Sequence, residues 1–380
     1  MNPVAEVPAG IVAATADQPT ARAALAAASA EPFHAYLLAG PPGSGKREAA
    51  RALAAELLAD GAADPADSRR RALADPSPHP DLVWLRPPGT QHLVDEVRER
   101  VIAAVAYRPF EGERRVFVIE AADAMAEESQ NALLKTLEEP PPFAHLILVS
   151  DEPEALLDTV RSRCRAVRFG RLGTEAVEAR LAEHPAGAER TAAARLAAGD
   201  PERARFLLGD DGRALRAAAE RLARAVREGD LAGAPCEGIA AAAEAASEHR
   251  SAAVQTRAAE AEEQAADRSP AAVRRRAREA EDAARRAGRR ARTETLDLGL
   301  ALLGAWVRDL AAVVDGAPEF ALNSDHADEL AELAEGLDAR RARRAGELVL
   351  DTRRRLQVNV SEALALEALA FRLEFLLGRR

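Results

Sequence analysis

The fold the sequence predicts is an α/β P-loop domain with a parallel five-stranded sheet, followed by a small helical segment and an all-α C-terminal region. Three observations predict it. Short apolar runs alternate with helical patterns up to residue 170, and no strand pattern follows Gly170. The string Gly40-Pro41-Pro42-Gly43-Ser44-Gly45-Lys46-Arg47 stands between the apolar run 35–39 and a helical pattern over 47–58. A strand that ends in a glycine-rich turn and opens a helix gathers backbone N–H groups, a lysine and the positive helix end around one point, which suits a phosphate.

Taken in order, residues 1–34 are alanine-rich and predict a helix around 22–28 leading into the first strand. After the helix of residues 47–58, residues 60–80 carry Ala, Asp, Arg and Pro without apolar period and read as a loop or a weak helix. Leu82-Val83-Trp84-Leu85 is a short buried strand, and Leu93, Val94, Val97, Val101 and Val105 recur at helical spacing. Strands at Val116-Phe117-Val118-Ile119, 146–149 and 166–169 follow, with a helix over 127–137 between the first two. With 35–39 this makes five strands alternating with helices, which implies right-handed crossovers, a parallel sheet and ligand chemistry at the carboxyl ends of the strands. Residues 174–184 and 190–198 read as short helices, the second broken by Gly199-Asp200-Pro201. From residue 207 the chain reads as helix throughout, interrupted at Pro235 and Pro270.

Composition agrees. The 380 residues suffice for two or three domains, and the 48% hydrophobic content with only 3% aromatics favours helices packed through small side chains. A formal charge of -10 excludes a chain built as a whole to coat nucleic acid, so any DNA contact requires a local patch or a partner. The one locally basic stretch is 268–292, ten Arg against Glu279, Glu281 and Asp282; it reads as a solvated helix face or as a contact for DNA or an acidic partner. No apolar run is long enough to span a bilayer, and a cytoplasmic location is expected. Cys164 and Cys236 form no disulfide framework, which fits a reducing compartment.

The phosphate-binding candidates are Gly40, Gly43, Ser44, Gly45 and Lys46. The next position ordinarily offers a hydroxyl to Mg²⁺, and here it is Arg47. On the facing strand, Glu120-Ala121-Ala122-Asp123 stands where an acidic pair would hold the metal and polarise the attacking water. Glu120 suits the metal; Ala121 cannot serve the water. Two groups needed for Mg²⁺-ATP hydrolysis are therefore missing, and ATP is expected to bind weakly or not at all. The structural alternatives are a strand-to-helix turn that binds nothing and, for Glu120 and Asp123, a strand end with a helix cap.

The strings His79-Pro80-Asp81, Asn131-Ala132-Leu133-Leu134-Lys135-Thr136-Leu137-Glu138-Glu139-Pro140-Pro141 and Ser162-Arg163-Cys164, in this order and spacing, closely resemble the clamp-loader branch of the AAA+ ATPases. The resemblance covers residues 20–208 well. Beyond, it rests on Leu356-Gln357-Val358-Asn359-Val360 and Leu364-Ala365-Leu366-Glu367, which resemble the last collar helices of bacterial loader subunits. It implies three domains: a P-loop domain over 1–172, a helical lid over 173–210 and a helical collar over 211–380. It also implies other loader subunits, a sliding clamp and primer-template DNA as partners, with Arg163, beside Ser162, reaching a neighbour's ATP as an arginine finger. Motor subunits of this branch keep the hydroxyl after the P-loop lysine, the acidic pair, a lid arginine and usually a four-cysteine zinc module. This sequence has Arg47, Ala121 and Gly199-Asp200-Pro201-Glu202, and no Cys between Leu58 and His79, so no zinc is expected. The departures favour a non-hydrolysing subunit. An ATP-hydrolysing motor subunit, and an interaction module outside replication with a relic P-loop, are the alternatives.

Overall fold

The computed structural model describes residues 7–87, 91–233, 235–263, 269–356 and 361–379, and the chain divides into two compact units, Met1–Leu172 and Gly173–Arg380. In the first, α1 (Ala9–Ala14) and α2 (Pro19–Ala30) precede β1 (Ala35–Ala39) and α3 (Lys46–Ala59). There follow α4 (Pro65–Leu73), β2 (Leu82–Leu85), α5 (Val94–Val97), β3 (Arg115–Ile119), α6 (Glu127–Glu138), β4 (Ala144–Ser150), α7 (Asp158–Arg161) and β5 (Arg165–Arg168). The strands form one sheet in the order β2-β3-β4-β1-β5, every neighbouring pair parallel.

Strands β1, β3 and β4 are buried along their whole length, as the continuous apolar runs require when helices cover both faces of a sheet. One face packs Leu38, Val116 and Ile147 against Leu53 and Leu57 of α3; the other packs Leu37, Phe117 and Leu148 against Leu133 and Leu137 of α6. Of the ten buried residues of α3, six are Ala, so the helix lies close on the sheet and its N-terminus is fixed at the carboxyl end of β1.

The structure refines three expectations. The first 34 residues hold two described helices, the second begun by Pro19, whose fixed φ suits a first helical position. Residues 60–80 contain a regular helix, α4, capped by Asp64, whose carboxylate accepts the N–H groups of Ala66 and Asp67 at 3.1 Å each. It buries only Ser68 and Ala72, which explains the missing apolar period. The helical pattern over 93–105 is realised as α5, a wider π-type turn over Arg98–Ala103 and a 3₁₀ turn over Ala104–Ala106.

His79-Pro80-Asp81 is a structural clasp. The fully buried Asp81 carboxylate accepts the N–H of Phe110 at 2.7 Å and of Glu111 at 3.0 Å. His79 lies 3.0 Å from Ser68 Oγ through Nε2, and its Nδ1 accepts the Asp81 N–H at 3.2 Å. These bonds tie α4, the start of β2 and the segment before β3 together.

The second unit holds α8 (Thr174–Ala179), α9 (Ala188–Leu196), α10 (Pro201–Leu208), α11 (Asp210–Glu228), α12 (Glu237–Glu263), α13 (Pro270–Val314), α14 (Ala327–Ala334), α15 (Ala339–Leu356) and α16 (Glu362–Leu377), with no strand among the described residues. Trp306, Leu300, Leu303 and Leu310 of α13 are buried, as are Leu330, Val349, Leu369 and Leu373 of α14 to α16. Besides the breaks expected at Pro235 and Pro270, the helical run is interrupted between α14 and α15 and, earlier, after Val314, where Gly316 (φ +78°) and Pro318 lead into two 3₁₀ turns. The buried Asp309 holds this bend by accepting the N–H of Leu322 at 2.9 Å and of Asn323 at 2.8 Å. Residues 357–360 of the C-terminal string, and Arg268, lie outside the described residues.

Candidate functional site

Residues 40–47 turn at the carboxyl end of β1, between β4 and β5. Gly40 is required there because a Cβ would stand 2.4 Å from the Phe169 carbonyl oxygen, and Gly45 takes a left-handed conformation (φ +88°) as the residue before α3. Gln18, which the sequence reading passed over, clamps the turn: its Nε2 donates to the Gly170 carbonyl at 2.7 Å and to that of Ser44 at 3.3 Å, and its Oε1 accepts the Gly170 N–H at 2.9 Å.

Lys46 folds back into the turn. Its Nζ donates to the carbonyl oxygens of Gly40 and Pro41 at 2.6 Å each, reaches Ser44 Oγ at 3.3 Å and pairs with Asp151 Oδ1 at 2.7 Å. The Lys46 side chain is 4% exposed, so its charge is neutralised by the turn and by Asp151, just beyond β4. Asp151 in turn is held by its N–H, which donates to Asp123 Oδ1 at 3.0 Å. Gly40, Gly43, Ser44, Gly45 and Lys46 thus lie together in one turn, as the sequence placed them.

Arg47 points away from it, toward Asp75 Oδ2 at 3.0 Å and Glu120 Oε2 at 3.4 Å. Arg86 reaches the same two carboxylates, at 2.7 Å and 2.9 Å, and Trp84 Nε1 donates to Glu120 Oε2 at 2.8 Å. Arg51 lies 3.3 Å from Asp75 and stacks 4.3 Å from the Trp84 ring centroid. Partial burial opposes ionisation of Asp75, but the Arg86 hydrogen bond and the charges of Arg51, Arg86 and Arg47 hold its carboxyl below the usual range. Where a metal-binding hydroxyl and carboxylate would meet, this chain has an arginine–carboxylate cluster that engages Glu120. Its donors Arg47, Arg51 and Arg86 carry fixed positive charge, so the residues present do not fit a divalent cation at Glu120. Ala121 follows with φ +51°, in the left-handed region that a side chain disfavours.

Ser162 and Arg163 occupy the turn between α7 and β5. The three arginines of that turn differ. Arg161 is committed to Glu154 and Asp158, and Arg165 stacks 5.2 Å from the Phe33 ring centroid. Arg163 donates to the Thr159 carbonyl at 2.8 Å and pairs with Glu138. It faces an open groove of about 680 Å³ lined by His34, Glu138, Ser162 and Cys164 among others. Ser162 also lines a second groove with Gly40, which brings it between the turn and Arg163. Burial pushes the Cys164 thiol up to about 12, so it stays protonated and unreactive.

Among the described residues one group has metal-ligand spacing, Glu220, His326 and Glu329, and Arg224 Nη2 already bonds both of its carboxylates. No helix among the described residues is long and apolar enough to cross a membrane.

A glycine-rich turn at the carboxyl end of a parallel five-stranded sheet, with an arginine turn before the last strand, defines a P-loop α/β module. Residues 18–173 match the family described as DNA polymerase III, delta subunit. It is 35% identical over 156 residues to the DNA polymerase III subunit delta' of Bacillus subtilis, covering 40% of this chain and 46% of that protein. To the delta' subunit of Pseudomonas aeruginosa it is 39% identical over 140 residues, 36% and 42% of the two lengths. A gamma/tau subunit of Mycobacterium bovis is 37% identical over 153 residues, 39% of this chain and 26% of that one. The chain therefore spans less than half the length of the delta' relatives it matches here.

Proposed function

We propose that the chain is a non-hydrolysing, delta-prime-type subunit of the clamp loader of the bacterial DNA polymerase III holoenzyme. In this reading it assembles with gamma/tau and delta subunits and helps place a sliding clamp on primer-template DNA. Its P-loop is structural or weakly nucleotide-binding, and Arg163 reaches across a subunit boundary to the ATP of a neighbouring motor subunit. Three domains, 1–172, 173–210 and 211–380, serve as core, lid and collar.

The observation that carries the proposal is the contrast between the two arginine environments. Arg47 and Arg86 engage the Glu120 carboxylate a metal would need, which leaves this chain's own P-loop without a metal centre. Arg163, beside an open groove and one third exposed, is held by Glu138 and the Thr159 carbonyl, contacts at the surface that it can exchange for a site on another chain. Charge on a transferred phosphoryl group is stabilised by such a finger, which contributes on the order of 10³ to 10⁵ in rate elsewhere. A planar guanidinium is needed because Lys offers no fork for two phosphate oxygens.

The test is clamp-dependent ATPase of a reconstituted loader carrying Arg163→Ala, Arg161→Ala or Arg165→Ala, each checked for assembly. Arg163→Ala is expected to abolish the stimulated rate while the other two retain most of it. Equal losses in all three return the turn to a solvated basic loop. A pull-down with loader subunits and clamp tests assembly itself, and failure to assemble favours the interaction module outside replication.

A further inference from the structure

α12 and α13 extend past the core as a thin helical hairpin. From Leu296 onward α13 buries Leu296, Gly299, Leu300, Leu302 and Leu303, but before that only Ala272, Ala284 and Gly288 among its described residues. α12 buries only Ile239 and Ala243. The two helices approach closely where Gly288 meets Ser247 and Ser251: a Cβ at Gly288 would lie 2.2 Å from Ser251 Oγ. The hairpin is thus an arm held by small side chains, with a shallow groove between the helices lined by Val254, Val273 and several Ala on a face of its own.

The charge of the first half of α13 is the reverse of the chain's, while α12 beside it is acidic, with six Glu against Arg250 and Arg257. Nine Arg against three acidic residues occupy 270–292, in a chain whose formal charge is -10. Arg274, Arg278, Arg285 and Arg289 follow one another at four, seven and four residues. At 100° per residue they fall within about 60° of one another around α13 and span about 22 Å. All four are exposed. Arg285 pairs with Glu281 at i,i+4; no ion pair engages Arg274, Arg278 or Arg289 among the described residues. The neighbouring acids are partly consumed as well, Glu279 by Arg275 at 3.6 Å and Glu262 of α12 by Arg276. Beside the stripe, Arg286 Nε is buried without a partner.

We infer that this face of α13 is a docking surface for the phosphate backbone of duplex DNA. A straight row of guanidinium groups suits the dense, stiff line of charge of a duplex, about one phosphate per 1.7 Å of axis. Single strands are held largely by stacking on aromatic rings, and residues 237–305 contain no Phe, Trp or Tyr. Protein interfaces rest on buried aromatic or large aliphatic anchors, which the stripe also lacks. The contact is to backbone, so it carries no base preference. It does not rest on the clamp-loader reading.

The test uses the full chain, a fluorescently labelled 30-base-pair duplex and anisotropy at salt from 50 to 200 mM, with Arg274, Arg278 and Arg289 all replaced by Ala. Exposed Arg→Ala changes leave helix propensity intact, and circular dichroism and the thermal midpoint monitor the fold. Three phosphate contacts correspond to a salt slope of about 2.7, or roughly a 40-fold loss of affinity across that range. The triple variant is expected to lose at least tenfold in affinity at 50 mM and to flatten the slope by about that amount. The matching triple Lys variant is expected to retain most of both. Arg340, Arg344 and Arg354 of α15, replaced together by Ala, remove the same charge elsewhere and are expected to change little. Unchanged duplex affinity in the α13 variant overturns the proposal, as does an equal loss in the α15 variant or tighter binding to single strands than to duplex. Loss of an acidic protein partner with duplex binding intact also overturns it.

Discussion

Arg163 is held by Glu138, and this pair sets how readily the guanidinium leaves its own surface. The perturbation is Glu138→Gln, which removes the charge and keeps the shape. The two side chains are 33% and 49% exposed, so the pair belongs to the half-solvated class worth about 0.2–1 kcal/mol. Its loss lowers the cost of withdrawing Arg163 by at most about 1 kcal/mol, a factor of up to about five. The Thr159 carbonyl still accepts from Arg163 at 2.8 Å, so the side chain keeps one anchor. In a reconstituted loader, Glu138→Gln is expected to raise clamp-stimulated ATPase up to about fivefold or leave it unchanged. The double variant Glu138→Gln with Arg163→Ala falls to the level of Arg163→Ala alone. Glu154→Gln, which loosens Arg161 instead, is the control and changes nothing. If Glu138→Gln lowers turnover as far as Arg163→Ala does, Glu138 holds the finger in its working position and the parked-arginine reasoning is wrong.

Asp81→Ala leaves the N–H groups of Phe110 and Glu111 without their carboxylate, and at about 1.5–3 kcal/mol for each charge-assisted bond a loss of about 3–6 kcal/mol in urea-unfolding stability is expected. An unchanged midpoint would mean that this clasp is not holding the segment before β3. The isolated chain is expected to show no ATP turnover above background, and Arg47→Thr with Ala121→Glu does not create it, because Glu120 stays bonded to Arg86 and Trp84 and residue 121 keeps its positive φ. Robust wild-type turnover abolished by Lys46→Ala refutes this. His79, His92 and His145 are buried, and desolvation holds each below its ordinary value of 6.5. The unfolded chain then binds more protons, so their stabilising contribution is complete above about pH 6.5 and is lost as pH falls below it. Thermal midpoints are expected to drop between about pH 7.5 and 5.5, and a flat profile over that window contradicts the assignment.

What the sequence disclosed and what it hid follow a physical division. Strands β1, β3 and β4 were legible because burial on both faces leaves continuous apolar runs, and the turn at residues 40–47 because it couples glycine at fixed spacing to a strand before and a helix after. Helix α4 was hidden because it is held by Asp64 and by Ser68 to His79, polar contacts that leave no periodicity. At the candidate site, Arg47 could be read as a missing hydroxyl, but not as a group with a destination. Asp75 and Arg86 stand 28 and 39 positions away, and only the pairing of β2 with β3 brings Arg86 and Glu120 to one edge. Lys46 shows the same limit: its counter-charge, Asp151, follows a strand that sequence order places last but one and the sheet places beside β1. Glu138 sat inside a string recognised for its likeness, yet its contact with Arg163 depends on the fold-back of α6 toward the turn before β5. Residues read one by one in the sequence are therefore joined in the fold: Arg47 and Arg86 both engage the Glu120 carboxylate. Replacing either arginine alone leaves the other beside Glu120, Arg47 at 3.4 Å or Arg86 at 2.9 Å.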